Sequence, residues 1–508
     1  YELIMQECGH GKFQWQLFLV LGLALMSDGV EVFVVGFVLP SAETDMCVPD
    51  SSSGWLGSIV YLGMMVGAFF WGGMSDKVGR RQCLLICMST NGFFAFLSSF
   101  VQGYGVFLLC RIVAGFGIGG AVPIVFSFFA EVLSREKRGE HLSWLCMFWM
   151  VGEIYASAMA WAIIPHYGWS FSMGSAYQFH SWRVFVVVCA LPCVCAVVAL
   201  TFMPESPRFY LEVGKHDEAW MILKQIHDTN MRARGQPEKV FTVNRFCSIS
   251  VSVGEEIRAR ERHVKIVFYH PSLPLFDFPV SECVSVSDLR RPIASSSPDI
   301  TVSRYYGLSV WFPDVIKHLQ ADEYAEDIDD SKLIDGTEVV NSTFTHNKTG
   351  CQMTFDDDYS AYWVYFINFL GTLAVLPGNI VSALLMDKIG RLSMLGGSMI
   401  LSGISCFFLW FGTSESMMIF MLCLYNGLSI SAWNSLDVVT TESFPTVRRG
   451  TGFGFCNALC KLSAVLGNMI FGSLVGITKA IPILMASSVL VGGGLVSLRL
   501  PDTMANVL

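Results

Sequence analysis

The sequence predicts an all-α multi-pass membrane protein made of two helical bundles, and three observations carry that reading. Of 508 residues, 53% are hydrophobic and 15% charged, against roughly a quarter charged in an ordinary soluble domain. The apolar residues fall into runs of about 20, the length an α-helix needs to cross about 30 Å of hydrocarbon. A charged turn also recurs. Asp76, Lys77, Gly79 and Arg80 match Asp387, Lys388, Gly390 and Arg391 at a shift of 311, and Glu131, Arg138 and Gly139 match Glu442, Arg449 and Gly450 at the same shift.

Eleven runs qualify as spans: 13–40, 54–71, 83–100, 104–130, 141–164, 183–203, 359–386, 392–412, 416–440, 451–475 and 479–500. Tyr1 opens the chain with no basic, cleavable leader before the first run, so the start reads as trimmed. Short loops rich in Lys and Arg stay cytoplasmic. The turns carrying Lys77, Arg80 and Arg81, then Arg135, Lys137 and Arg138, then Lys388 and Arg391, then Arg448 and Arg449 are therefore expected on that side, with the N-terminus. The loop 320–358 is acidic and holds two glycosylation sequons, at Asn341 and Asn347, which places it in the lumen or outside the cell. The net charge of −9 reflects that loop and implies no particular partner; no nucleic-acid partner is expected.

Sixteen cysteines lie mostly within the spans as small apolar fillers, without CxxC pairs of metal-binding spacing, so no metal and no cofactor is expected. Cys47 and Cys351 both fall on the luminal side, where a disulfide between them is allowed. Motifs for hydrolysing nucleotides, peptides or esters are missing, and "GFGIGG" lies inside a span, where glycines serve helix packing. An enzyme is not expected.

Gly72–Arg81 resembles the loop between the second and third helices of the major facilitator superfamily, and "PESPRFY" at 204–210 resembles the mark of its sugar-porter branch. Longer stretches, among them "SDGVEVFVVGFVLPSAETDMC", "YYGLSVWFPDVIKHLQ" and "LCLYNGLSISAWNSLDVV", resemble the synaptic vesicle glycoprotein 2 family, its C form above all. The resemblance covers 1–245 and 305–508 and implies two six-helix bundles with a pathway between them, rocking in alternating access. It divides the chain into an N-terminal bundle at 1–204, a cytoplasmic loop at 205–304 and a C-terminal bundle at 305–508 containing the luminal loop 320–358. Residues 246–304 do not resemble the family segment leading into the seventh helix. Only 305–315 reads as part of that crossing, and about 11 residues rise roughly 16 Å, half of what is needed. The seventh helix thus reads as truncated or replaced.

Charges inside spans are costly and are functional candidates by default. Asp28 and Glu31, spaced i, i+3, are expected to share a face of the first helix and to bind and release a coupling proton; static hydrogen bonds to backbone or Ser27 are the alternative. Trp433 and Asp437, at i, i+4, present an indole beside a carboxylate, which can grip an organic solute. The resemblance implies that this region, with Trp161, Asn434, Tyr305 and Tyr306, lines a central cavity that receives racetam-like ligands. Trp161 also reads as an interface anchor, being near a span end. Arg111 is expected to pair with Asp28, Glu31 or a carbonyl, whereas Glu153 and Lys461 have no partner legible in the sequence. In the repeated turns, Asp76 is expected to cap a neighbouring helix while Arg80 and Arg81 pair with acids such as Glu131, forming a cytoplasmic gate with Lys77, Gly79, Asp387, Lys388, Gly390 and Arg391.

Two functions follow as expectations. One is a proton-coupled carrier of a small organic solute such as a sugar. The other, implied by the resemblance, is a transport-inactive scaffold of the synaptic vesicle membrane that regulates exocytosis through partners such as synaptotagmin. The family's recognition by botulinum neurotoxins rests on a luminal repeat domain. About one rung of it remains here around "NSTFTHNKTGC", too little to bury a core, so that recognition is not expected.

Overall fold

A computed structural model describes residues 1–46, 53–173, 177–241, 359–409, 415–443, 449–474 and 480–498. Tyr305, Tyr306, Asn341, Asn347, Cys47, Cys351, the 246–304 stretch, the luminal loop and the seventh crossing lie outside the described residues.

All eleven apolar runs are helical. In chain order the elements are α1 (Glu2–Cys8), α2 (Lys12–Asp45), α3 (Ser53–Val78), α4 (Arg80–Ser98), α5 (Tyr104–Ile118), α6 (Ala121–Val132), α7 (Arg135–Ile163), β1 (Phe171–Met173), β2 (Tyr177–Phe179), α8 (Ser181–Thr201), α9 (Pro207–Glu212), α10 (His216–Ala233), α11 (Tyr359–Leu373), α12 (Val375–Ile389), α13 (Arg391–Leu409), α14 (Glu415–Ser443), α15 (Arg449–Leu474) and α16 (Ala480–Ser497). Seven stretches among the described residues are long and apolar enough to cross a membrane.

Two spans are broken, each for a local reason. Between α5 and α6, Pro123 cannot donate the N–H that would continue the ladder to Gly119, and a Cβ at Gly119 or Gly120 would lie 2.3 Å from the Met64 carbonyl or the Trp71 side chain, so α3 packs closely there. Between α11 and α12, Pro377 cannot donate the N–H that would continue the ladder to Leu373.

The all-α fold holds, with a small addition among the described residues: β1 and β2 form an antiparallel hairpin in the α7–α8 loop, with Phe171 paired to Phe179. The segment after 205 begins with two helices, α9 and α10. The amphipathic α10 buries Ile222, Leu223, Ile226 and Met231. Asn230 ties it to the start of α2, accepting from Phe13 N at 3.0 Å and donating to the Gly9 carbonyl at 2.8 Å.

The halves meet along two matching seams, α3 against α15 and α7 against α11 and α12. At the end that carries the repeated basic turns, here the basic end, Gly72 lies against Gly450 and Gly454, where an added Cβ would come within 2.6 Å of the Gly450 carbonyl. Ser143 Oγ also reaches Met386 Sδ across the other seam at 3.0 Å. At the opposite end Tyr365 donates to the Phe37 carbonyl at 3.2 Å, and Trp161 stacks on Phe369 with centroids 5.7 Å apart. Contact between the halves at both ends leaves the space between them enclosed.

Candidate functional site

The enclosed space is a cavity of about 40 Å³, room for a few waters and far below the several hundred Å³ of a ligand-filled site. Its polar lining comes from both halves: Asp28 on α2 and Trp149 on α7 face Trp433, Asn434 and Asp437 on α14 and Asn457 and Lys461 on α15. Asp28 Oδ2 accepts a hydrogen bond from Trp149 Nε1 at 2.9 Å. Lys461 acts electrostatically on both carboxylates, so a cation from one half acts on acids from each. Asn434 donates to the Asn379 side-chain carbonyl.

Asp28 and Glu31 answer to different partners, which corrects the expectation that they act as one pair. Glu31 Oε1 lies 3.0 Å from Arg111 Nη2, both side chains buried inside the first bundle, and neither lines the cavity. The i, i+3 spacing leaves the two carboxylates about 60° apart around the axis, and it is the Arg111 guanidinium that holds Glu31 inside the bundle. Trp161 is likewise not among the cavity's lining residues. It is 12 residues beyond Trp149 on α7, roughly 18 Å along the axis, in an aromatic cluster with Tyr362, Phe366 and Phe369. Glu153, between the two on α7, is buried away from the cavity. Lys461, whose partners were not legible, belongs to the site.

The basic end is a second constellation. Asp76 Oδ2 accepts from Thr451 N at 2.9 Å and Thr451 Oγ1 at 2.7 Å, capping α15 from the other half. Arg80 Nη2 reaches Glu131 Oε1 at 2.9 Å and Asp76 Oδ1 at 3.3 Å, all but enclosed. Arg81 differs from expectation. Its guanidinium donates to the Leu200 and Thr201 carbonyls at 3.2 and 2.8 Å, closing the C-terminus of α8 instead of meeting an acid. Lys77 and Lys388 are exposed, and Arg391 opens α13 partly buried.

Sequence reasoning missed Glu205. Its carboxylate accepts from Arg81 N at 2.9 Å and Gln82 N at 3.3 Å, capping α4, while Ser206 donates to Glu131. Burial pushes the Glu205 carboxyl upward, against the pull of the backbone donors from Arg81, Ser206 and Gln82. Gly79 permits the contact: its φ is +115° and a Cβ would lie 2.6 Å from Glu205 Oε2. The signal was present in "PESPR", which the sequence reading took only as a family mark. Also unforeseen is a cluster at the other end, where Asp45 meets Arg183 at 2.9 Å, Trp182 Nε1 at 3.2 Å and His180 at 3.3 Å.

The chain is 65% identical to synaptic vesicle glycoprotein 2C of Rattus norvegicus over 597 aligned positions, covering all of this chain and 81% of that protein. It belongs to the synaptic vesicle glycoprotein 2 family. Synaptic vesicle glycoprotein 2A of Rattus norvegicus is 54% identical, with all of this chain and 80% of that protein covered. The alignments are longer than the 508 residues here, so these members of the synaptic vesicle glycoprotein 2 family carry inserted residues within the matched stretch. The profile described as "Sugar (and other) transporter" matches residues 17–247, and that of the Major Facilitator Superfamily matches 352–506. The fold agrees. A structure of the proton:xylose symporter XylE bound to 6-bromo-6-deoxy-D-glucose aligns with TM-score 0.69 at 16% identity, covering 97% of this chain and 96% of that one. A partially occluded inward-open form of XylE from E. coli aligns with TM-score 0.66 at 14% identity, over 97% of this chain and all of that one. This synaptic vesicle glycoprotein 2 chain is thus a membrane protein with the major facilitator fold.

Proposed function

We propose that this chain resides in the synaptic vesicle membrane, N-terminus in the cytoplasm, and carries a small organic solute by proton-coupled alternating access. One observation supports this most: carboxylates from opposite halves, Asp28 and Asp437, line one cavity together with the ammonium of Lys461. Charges buried where two bodies meet are costly unless the bodies part and water or solute reaches them. Asp28 takes the coupling proton, with the buried Glu31–Arg111 pair beside it on the same helix. Trp433, Asn434 and Asp437 bind the solute, and racetam-like ligands enter the same cavity. The basic-end network from Asp76 to Glu131 latches the closed state and releases when that mouth opens.

A second reading keeps the fold and drops the transport: a scaffold that regulates exocytosis and holds synaptotagmin and related proteins on its cytoplasmic segments. The cavity's small volume favours it, since a scaffold has no need to open. Reconstituted liposomes separate the two. Proton-driven uptake of labelled hexoses, amines or amino acids, abolished by Asp28→Asn, supports the carrier. No uptake by either protein, with synaptotagmin still captured, leaves the scaffold.

A further inference from the structure

The charges around the cavity point to a class of solute, an inference that rests on the carrier reading. Among the described residues, Asp28, Asp437 and Lys461 are the formally charged side chains lining it. One ammonium balances one carboxylate and leaves one negative charge over. Glu31 adds nothing to this count, since Arg111 neutralises it away from the cavity at 3.0 Å. Among the described residues, Tyr61 on α3 interacts with Asp28 and Cys460, and Cys146 on α7 interacts with Asp437. Neither brings a positive charge. The hydrogen bond from Trp149 supplies a dipole only, and about 40 Å³ holds too little water to solvate an ion.

An unmatched carboxylate in an enclosed, weakly polar space costs several kcal/mol. The halves therefore close with one positive charge aboard. A proton on a carboxylate satisfies that condition, and so does a solute that carries the charge itself. We propose that the solute is a small monovalent organic cation, an ammonium or pyridinium, exchanged against one proton. When the cation enters, the O–H bond of the protonated carboxylate breaks and its proton passes to water on the side to which the cavity is open. When the cation leaves on the other side, water there returns a proton and the O–H bond forms again. The charge carried through closure is the same in both directions, so one proton moves opposite to each cation. The lining fits such a guest. Trp149 and Trp433 offer indole faces, worth about 0.5–2 kcal/mol to a cation, and the side-chain carbonyls of Asn434 and Asn457 can accept from an N–H. A neutral hexose brings no charge. It would have to travel together with the proton, the opposite coupling.

The test uses the purified full chain and tritiated 1-methyl-4-phenylpyridinium. In detergent, saturable binding with release of about one proton per cation to a pH indicator is expected. Asp28→Asn and Asp437→Asn should each weaken binding about tenfold or more, the equivalent of about 1.4 kcal/mol. Lys461→Met should strengthen it, an opposite sign that misfolding cannot produce. In liposomes with an acidic interior the cation should accumulate, and dissipating the gradient should stop it. Absence of cation binding, binding without proton release, or hexose binding in its place overturns the proposal. Binding with proton release but no accumulation upholds the solute class and sinks the carrier reading instead.

Discussion

Glu131 serves four elements at once. Its carboxylate receives Arg80 from α4 and Ser206 from the cap of α9, its backbone carbonyl receives the Tyr1 hydroxyl at 2.6 Å, and it stands on α6 itself. Because Arg80 and Glu131 are both enclosed, removing one leaves the other unpaired; Arg80→Ala should destabilise by about 3–5 kcal/mol, read as a large drop in the thermal unfolding midpoint in detergent. His180 gives a pH dependence. Burial lowers its imidazole from the ordinary 6.5; Asp45 opposes this and Arg183 adds to it. The folded ring binds its proton less readily than the unfolded one, so below 6.5 the unfolded chain holds more protons and stability falls with pH. The unfolding midpoint should drop between about pH 7 and about pH 5, and His180→Gln should flatten that slope. At this scale the sequence was partly legible. Asp437, Trp433 and Asn434 stood out as polar groups within an apolar run, whereas the neutralisation of Glu31 depended on where Arg111 falls in space.

Glycines set how closely the helices pack, and each seam is as tight as its glycines allow. Position 454 is an example, since an added side chain would meet the Ala68 carbonyl at 2.5 Å on α3. Gly454→Val should hold α15 away from α3 at the basic end without disturbing the interior of either bundle, so a cysteine introduced at Asn457 should react faster with water-soluble thiol reagents than in the parent. The spans themselves were legible because hydrocarbon demands length and apolarity from each one independently. The amphipathic α10 and the hairpin at 171–179 were not. Their patterns are short, and their stability comes from docking onto neighbours, as Asn230 does onto Gly9 and Phe13.

The two halves meet as like meets like, and the shift of 311 that relates the basic turns in sequence reappears in space as two equivalent seams. If transport proceeds by rocking, one seam end must part while the other holds. Ser157 Oγ and Thr372 Oγ1 are 2.8 Å apart across the α7–α11 seam, close enough for a disulfide once both are cysteine. Ser157→Cys combined with Thr372→Cys should abolish uptake in oxidised protein and recover it on reduction. Unchanged uptake in the cross-linked protein would rule out separation at that seam. The repeat and the charged turns announced this architecture from sequence. The cavity did not announce itself, because it is made of residues more than 400 positions apart, Asp28 and Asp437 among them.

One of the twin turns is visibly wedged: at Gly79 the Glu205 carboxylate sits where a side chain would be. A corner filled by a carboxylate resists bending, so α3 and α4 should swing together when the basic end opens. The first bundle then brings a stiff jaw to that mouth, held by a residue from beyond its own last span.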